Sequence, residues 1–567
     1  MVSSSEFGSE YEVDIECEPS TEFVAPSHLA YFEFISSFSA SSGIVYFDGE
    51  YDLFRVDANI EITKYIQFGY IFGFYDNAPS ILVRKDSLID LAKLSSRYRD
   101  HKVILCKNHI FFDVINHHTS DKNKFLSVYL QKFLNPKSNA FIFNSVVTRL
   151  KLLLSVLLAS MILYYSGIVI IVSNMIYFIQ SLFKLFIFKK AFVENIEDIK
   201  IDIPYLDIPI YTILVPLYRE AAKVKGIIRA ISNLNYPKNR LDVKLVIEHD
   251  DHQTYKAIRL LDLPDYIQVV RVPVSHPRTK PKACNYAMQF ALGEFVVIYD
   301  AEDKPDSMQL LEAVKKFNSL PLNYACLQAR LKIASKPNDL LAVLFQMEYD
   351  LSFCYIMKGL TILNLPVTLG GTSNHFRIKV LRELGYWDAY NVTEDADIGI
   401  RLNLKGYKVA MLNSNTIEEP VLSLKAWFKQ RVRWIKGFII TFSTYLLSDK
   451  SNQNLKDKLS LVVYVGFGVL GFILAPVVFY LGFYMEHVSL YLLMLSWINI
   501  FLFLVFFWSA AYFLIKTHDI ESDSGGYVAI AIFPLYFILH SIAAYFAIIE
   551  MFFAPFRWNK TDHDMQG

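Results

Sequence analysis

The sequence predicts an α/β domain built on a parallel sheet and set between apolar helices that cross a membrane. Three observations predict it. Four strand-like runs, Tyr211–Val215, Val243–Glu248, Ile267–Val272 and Phe295–Tyr299, alternate with helical stretches, the pattern of a parallel sheet covered by helices. Apolar runs flank that region at 152–188, 459–484, 489–515 and 527–553. Each reaches the roughly 20 residues that one helix needs to cross a bilayer. Apolar residues make up 53% of 567, and the mean hydropathy is +0.29. That exceeds what a soluble domain carries, so part of the surface faces lipid.

Taken in order, residues 1–26 are acidic and lack a core pattern, and are read as a disordered tail. No Lys or Arg precedes Arg55, so no signal peptide is expected and insertion falls to internal spans. Residues 27–135 read as a small α/β domain. Ile44–Phe47 and Tyr51–Phe54 are expected as strands around an Asp48-Gly49 turn. Ile81–Arg84 is expected as a further strand, Leu88–Tyr98 as a helix and Val103–Phe112 as a strand. The 152–188 run is broken only by Lys184, with Arg149 and Lys151 before it and Lys189 and Lys190 after it. Basic residues at both ends place both ends in the cytoplasm. A hairpin of two spans turning near Ser166-Gly167 follows, with one long tilted helix as the rival. Residues 191–455 form the polar domain, 459–553 about three spans, and 554–567 a tail.

Charge excludes one class. Lys plus Arg equals Asp plus Glu at 56 each, so the basic excess of a nucleic-acid-binding protein is missing. The five cysteines are scattered without a Cys-x-x-Cys pair, which fits a reducing compartment and indicates neither a zinc site nor a disulfide framework.

In a parallel sheet, ligands bind beyond the carboxyl ends of the strands, and polar groups gather there. Asp250-Asp251 follow the second strand. Asp300-Ala301-Glu302-Asp303 follow the fourth. Oxygen ligands of this kind suit Mg²⁺ or Mn²⁺, which commonly bridge to substrate phosphates; taken alone, the cluster reads as a solvated acidic turn. Lys280 and Lys282 precede a helix whose N-terminus adds positive charge for a phosphate. Thr393-Glu394-Asp395-Ala396-Asp397 contains a candidate general base, Asp395, next to Glu394. The same run also reads as a helix N-cap with acids in its first turn, Asp397 among them. Gln430, Arg433 and Trp434, at i, i+3 and i+4, share one helical face. Arginine pairs with pyrophosphate oxygens and an indole stacks on a sugar ring, although an interfacial helix is rich in the same residues. His249 and His252 imitate metal ligands but stand unsupported. Asn391-Val392-Thr393 and Asn559-Lys560-Thr561 imitate glycosylation acceptors.

Together, Asp250-Asp251, Lys280 to Asn285, Asp300 to Asp303, Gly370-Gly371-Thr372-Ser373-Asn374, Thr393-Glu394-Asp395 and Gln430 to Trp434 resemble the membrane-embedded family 2 glycosyltransferases, the group containing cellulose synthase and its bacterial relatives. The resemblance covers roughly residues 205–560. It implies a GT-A (Rossmann-like) catalytic domain, a nucleotide-diphosphate sugar such as a UDP-sugar as donor, and a divalent cation. By the same resemblance Asp250 and Asp251 contact the nucleotide, Asp300 helps hold the metal, Asp395 is the base, and Gln430, Arg433 and Trp434 bind the diphosphate and acceptor end. The metal motif departs from Asp-x-Asp, so Glu302 or Asp303 supplies the second carboxylate. No counterpart of the gating loop after Gln-x-x-Arg-Trp is seen. Residues 27–135 weakly resemble the N-terminal domain of type II secretion ATPases.

The function expected is inverting β-glycosyl transfer, with synthesis and export of a polysaccharide from a cytoplasmic catalytic domain at the inner membrane. Transfer of a single sugar to a lipid is the second reading, and an inactive membrane receptor or secretion component the third. Tyr464, Tyr480, Trp497, Trp508, Tyr512 and Tyr536 are candidates to line an export path.

Overall fold

A computed structural model describes residues 45–47, 54–56, 69–84, 91–165, 168–193, 208–334, 339–421, 423–484, 489–517 and 524–557. The acidic tail and the Asp48-Gly49 turn lie outside them. The N-terminal domain carries β1 (Val45–Phe47), β2 (Phe54–Val56), β3 (Tyr70–Tyr75), β4 (Ala78–Arg84), helix α1 (Leu91–Arg97) and β5 (Lys102–Cys106). Its sheet order is β1-β5-β4-β3-β2. The first two strands therefore stand at opposite edges and form no hairpin. The tight turn is instead Asp76-Asn77, both residues at positive φ, between the paired strands β3 and β4, as a two-residue hairpin requires. The expected strand over Val103–Phe112 ends at Cys106, and helix α2 (Asn108–Leu134) takes the rest. Ile110, Phe111, Val114 and Ile115 are buried, which is helical spacing; a run of apolar residues this short does not distinguish the two periods.

Helix α2 lies on the catalytic domain. Asn285 donates from Nδ2 to the Ser127 carbonyl at 3.0 Å, and the Tyr286 hydroxyl donates to Asn116 Oδ1 at 2.5 Å. Helices α3 (Val146–Tyr165) and α4 (Ile168–Val193) follow.

The catalytic domain adds β6 (Tyr211–Leu217), α5 (Val224–Ser232), β7 (Leu241–Glu248), α6 (His252–Arg259), β8 (Ile267–Val272), α7 (Lys280–Ala287), β9 (Phe295–Ile298), β10 (Lys304–Pro305), α8 (Gln309–Ser319) and β11 (Tyr324–Ile333). After them come α9 (Leu340–Asp350), a π-helical turn (Leu351–Met357), α10 (Lys358–Ile362), β12 (Asn374–Arg377), α11 (Ile378–Glu383), α12 (Glu394–Leu404), β13 (Lys408–Glu418) and α13 (Leu424–Leu447). The sheet runs β10-β13-β11-β12-β9-β6-β7-β8. Strands β9, β6, β7 and β8 are parallel as expected, but β12 is antiparallel to both its neighbours, so the whole sheet is mixed. The chain steps from β6 outward to β8, then returns to place β9 on the other side of β6. Their carboxyl ends frame the crevice that such a reversal opens.

Helices α14 (Leu455–Leu461), α15 (Phe467–Tyr484), α16 (Leu490–Thr517) and α17 (Ser524–Phe553) complete the chain. Among the described residues, five segments are long and apolar enough to cross a membrane: Ile168–Val193, Leu340–Ile362, Leu455–Pro476, Leu490–Leu514 and Tyr527–Phe553. The second was not expected. It carries Glu348 and Asp350, is 67% buried in protein and packs on β11, so it acts as a covering helix of the catalytic domain. Helix α4 packs against α15 and α16, and α17 against α13. One continuous core joins Leu82 and Ile104 of the N-terminal sheet, Tyr286 of α7, Trp387, and Phe506 and Phe533 of the apolar C-terminal helices.

Candidate active site

At the reversal point lies a cavity of about 360 Å³. Its floor is the end of β6 (Pro216 to Tyr218) and the Asp300 loop. Its walls are the start of α7, the Glu394-Asp395 end of α12, Glu418 and Glu419 after β13, and the Gln430, Arg433 and Trp434 face of α13. Eight of the twelve site residues predicted from sequence line it: Lys280, Asp300, Glu302, Glu394, Asp395, Gln430, Arg433 and Trp434 do so, while Asp250, Asp251, Lys282 and Asp303 do not.

The four that stay outside have local tasks. Asp251 caps α6, accepting from the Thr254 amide at 3.1 Å, and accepts from the Arg219 amide at 2.5 Å. Asp250 pairs with Arg278 at 2.8 Å, and it is Arg278 that reaches the cavity. Lys282 is buried against Glu248 at 2.6 Å, so its charge is spent inside the domain. Asp303 is 1% exposed. It accepts from the Asp300 amide at 2.7 Å and from the Thr372 hydroxyl, which bends the loop and turns Asp300 toward the cavity. Both lysines sit in the first turn of α7, not in a loop before it.

Asp300 accepts from Lys280 Nζ at 2.5 Å, and Lys280 also donates to the Gly371 carbonyl at 2.8 Å. Burial alone would lower the Lys280 ammonium, but Asp300 and Glu394 beside it hold it above its usual value. Asp395 accepts from the Ala396 amide at 2.8 Å. A Cβ added to Gly371 would lie 3.4 Å from Asp395 Oδ2, so this glycine keeps the space beside the carboxylate open. Thr393 is the N-cap residue of α12, but its side chain makes no capping bond. Asp397 is turned inward to Arg401 at 2.7 Å. Asn391, in the glycosylation-type triplet, is buried and donates to Thr441 Oγ1 at 2.8 Å.

Sequence reasoning missed Glu248, Glu418 and Glu419, which also line the cavity. The last two close the longest strand of the sheet, and the only available signal was a paired acid at a strand end. It missed Arg431 as well. Arg431 is buried, pairs with Glu348 and lies 4.1 Å from the Trp434 ring centre. Trp427 Nε1 donates to the Tyr536 hydroxyl at 2.6 Å, and Tyr536 donates to Glu348 at 2.5 Å. The helix carrying Gln430, Arg433 and Trp434 is thereby tied to the apolar helix α17.

Eight carboxylates line the cavity against three basic side chains, Arg278, Lys280 and Arg433. Their crowding shows in their titration. Burial, then Asp300, pushes Glu302 up to about 7. Burial, then Asp395, pushes Glu394 up to about 7. Burial, then Asp300 and Glu302, pushes Glu418 up to about 8. Burial also raises Asp395, against the Ala396 amide, Lys280 and Arg433. Such a lining repels a diphosphate unless a cation enters with it. Among the described residues, no group of three His, Cys, Asp or Glu side chains could hold an ion by itself. Asp300 and Glu302 offer hard oxygen donors of the kind that hold such a cation together with phosphates and water.

A second cavity, of about 280 Å³, opens from the first. The two share Leu331, Tyr349, Gly371, Thr393, Asp395 and Trp434. The second runs between α4, the π-helical turn and the C-terminal helices, and its lining is mostly apolar, with Phe353, Met357, Phe472, Phe506 and Phe537 prominent. Of the six aromatic residues considered for an export path, Tyr464 lines it. Trp497, Trp508 and Tyr512 are 48%, 44% and 54% exposed on the outer faces of the helices, Tyr536 belongs to the Glu348 cluster, and the side chain of Tyr480 lies outside the described residues.

Residues 295–516 match the family model described as Glycosyl transferase family group 2. The matched residues fall in a GT-A-like domain and the helices after it, and fold and match together mark the chain as a glycosyltransferase. The N-terminal domain lies outside the matched residues. The chain is similar to the probable glycosyltransferase YdaM of Bacillus subtilis, 23% identical over 301 residues, 52% of this chain and 71% of that one. It is also similar to the beta-monoglucosyldiacylglycerol synthase of Trichormus variabilis, at 26% over 41% of this chain and 49% of that one. A third relative is the probable glucomannan 4-beta-mannosyltransferase 1 of Arabidopsis thaliana, at 25% over 40% and 43%. The chain thus spans about half the length of the latter two. Among solved structures, the mannosyltransferase PcManGT from Pyrobaculum calidifontis in complex with GDP-Man and Mn2+ aligns at 18% identity and TM-score 0.43, over 66% of this chain and 97% of that one.

Proposed function

We propose that the protein transfers a sugar, with inversion, from a nucleotide diphosphate to an acceptor hydroxyl that reaches the site from the membrane side. The observation that carries this reading is the position of Asp395 where the two cavities meet. The polar cavity takes the donor. Arg278 and Lys280 at its rim and Arg433 on its wall face the diphosphate, and the Trp434 ring faces the sugar. Asp300 and Glu302 would hold the Mg²⁺ or Mn²⁺, which when bound offsets the charge of the leaving diphosphate. Asp303 shapes that loop from beneath. The acceptor enters through the second cavity, and Asp395 takes its proton as the oxygen attacks the anomeric carbon. Glu394 stands next to it, and burial raises both carboxyls, so the pair shares its charge.

The apolar lining favours an amphiphilic acceptor over a polysaccharide channel. Sugar hydroxyls crossing a lipid-surrounded path need polar partners, and the second cavity offers few. The glycolipid synthase among the relatives supports the same preference, while the glucomannan transferase keeps chain elongation at the cytoplasmic face as the second reading. The catalytic domain lies on the cytoplasmic side in either case, with the basic ends of α4 and α13 beside it. Asp395→Asn tests the core of the reading. Transfer is expected to fall roughly 10²–10⁴-fold while nucleotide-sugar binding, followed by calorimetry in detergent, persists. Turnover near that of the unaltered protein would overturn the assignment.

A further inference from the structure

The proposed function leaves open what the membrane-side cavity recognises besides hydrocarbon. One residue there is out of keeping with the rest. Lys184 lies on α4, about 9 Å of helix inside the basic end marked by Lys190, and it lines both the second cavity and a small void continuous with it between Tyr177, Gly471 and Phe503. Its ammonium lies 5.9 Å from the centre of the Phe507 ring. Among the described residues it forms no ion pair. The other charged groups of the cavity are accounted for: Glu348 is held by Arg431, Tyr536 and His540, and Asp395 is the base. Beside Lys184, Gln180 is packed against Gly468 and Gly471 and lines the same space. An ionisable side chain within a span, turned to a cavity, is costly unless it meets an opposite charge.

We infer that the second cavity binds an anionic membrane lipid, with its phosphate at Lys184 and Gln180, its chain among Phe472, Phe506 and Phe507, and its hydroxyl-bearing head at Asp395. This rests on the proposed function and narrows its acceptor to a lipid with a phosphate between chain and head. Charge complementarity selects that occupant. A neutral diacylglycerol would leave Lys184 unpaired, and a free glycan would leave the apolar wall unfilled. Phosphate has two lipid sources here, a phosphoglycerolipid and a polyprenyl-linked phosphosugar, and both satisfy the same contacts.

Native mass spectrometry of the full chain, released from nanodiscs holding equal parts phosphatidylglycerol, a polyprenyl diphosphate-linked sugar and diacylglycerol, tests the inference. The protein is expected to retain one of the two phosphorylated lipids at least about tenfold over diacylglycerol, as a charge-assisted bond would give. Which one is retained identifies the source. Lys184→Met should erase the preference, and Lys184→Arg should keep most of it. Removing a charge from a span does not endanger insertion, so loss in the Met variant reads on binding. Equal retention of all three lipids, or a preference unchanged in Lys184→Met, would overturn the inference. Donor turnover by the unaltered protein is measured separately. Its absence would count against the proposed function, while lipid retention would still report on this cavity.

Discussion

Glu348→Leu is the most informative single change outside the cavity, because it removes the centre of the cluster that ties α13 to the membrane. Glu348 accepts from Arg431 and Tyr536 and faces His540 Nε2 at 3.3 Å. Arg431 is 1% exposed, and without Glu348 its buried charge keeps only the neutral Gln430 and Tyr536 as partners. Removing one member of a buried pair costs about 3–5 kcal/mol, chiefly from the charge left behind. Unfolding entropy of roughly 2.1 cal/mol/K per residue over the 567 residues amounts to about 1.2 kcal/mol/K. The apparent melting midpoint in detergent should therefore fall by about 3–4 °C. Arg431 also lies against the Trp434 ring, which faces the donor sugar, so the donor KM should rise as well. The double variant Glu348→Leu with Arg431→Met removes both charges and should melt closer to the unaltered protein than Glu348→Leu alone. If the double variant loses the sum of the two single effects, the cluster is not held by that pair and the reasoning fails.

Chelation should abolish transfer, and Mg²⁺ or Mn²⁺ should restore it. Glu302→Gln should raise the cation concentration needed for activity at least about tenfold, whereas Asp303→Asn should chiefly lower the melting midpoint; the reverse pattern would exchange their roles. Gly437→Ala would place a Cβ 2.3 Å from Thr393 Oγ1, pushing on the first turn of α12. A displacement of about 1 Å at Asp395 costs on the order of 10²-fold in kcat, which single-turnover assays would detect with donor binding intact. The buried Asp388 carboxyl is pushed up to about 7 by burial and then by Asp397. Between about pH 4 and pH 7 the unfolded chain ionises this group while the folded protein keeps the proton, so stability falls as pH rises through that window. Asp388→Asn should show a smaller decline between pH 5 and pH 7.5, measured as the difference in melting midpoint.

The sequence by itself determined the four parallel strands, because each is a short apolar run between helical stretches; three lie inside the sheet, and β8 at its edge is still mostly buried. It also determined eight of the residues that line the cavity. Lys280, Asp300, Glu394 and the Gln430-Arg433-Trp434 face lie at strand ends or on one helix face, where local spacing fixes which way a side chain points. Only the tertiary structure decided which carboxylate of the Asp300 loop faces inward, since Glu302 and Asp303 are neighbours and the choice depends on Thr372, some seventy positions away. The same holds for Lys282, whose charge is cancelled by Glu248 across a neighbouring strand, and for Asp251, which became a helix cap. The edges of the N-terminal sheet were illegible because β1 pairs with the distant β5 and not with its neighbour in sequence. The second cavity was illegible for a related reason. Its walls come from α4, the segment after α9 and the C-terminal helices, and long-range packing of apolar faces, which carry no register of their own, brought Lys184 and Asp395 to one space.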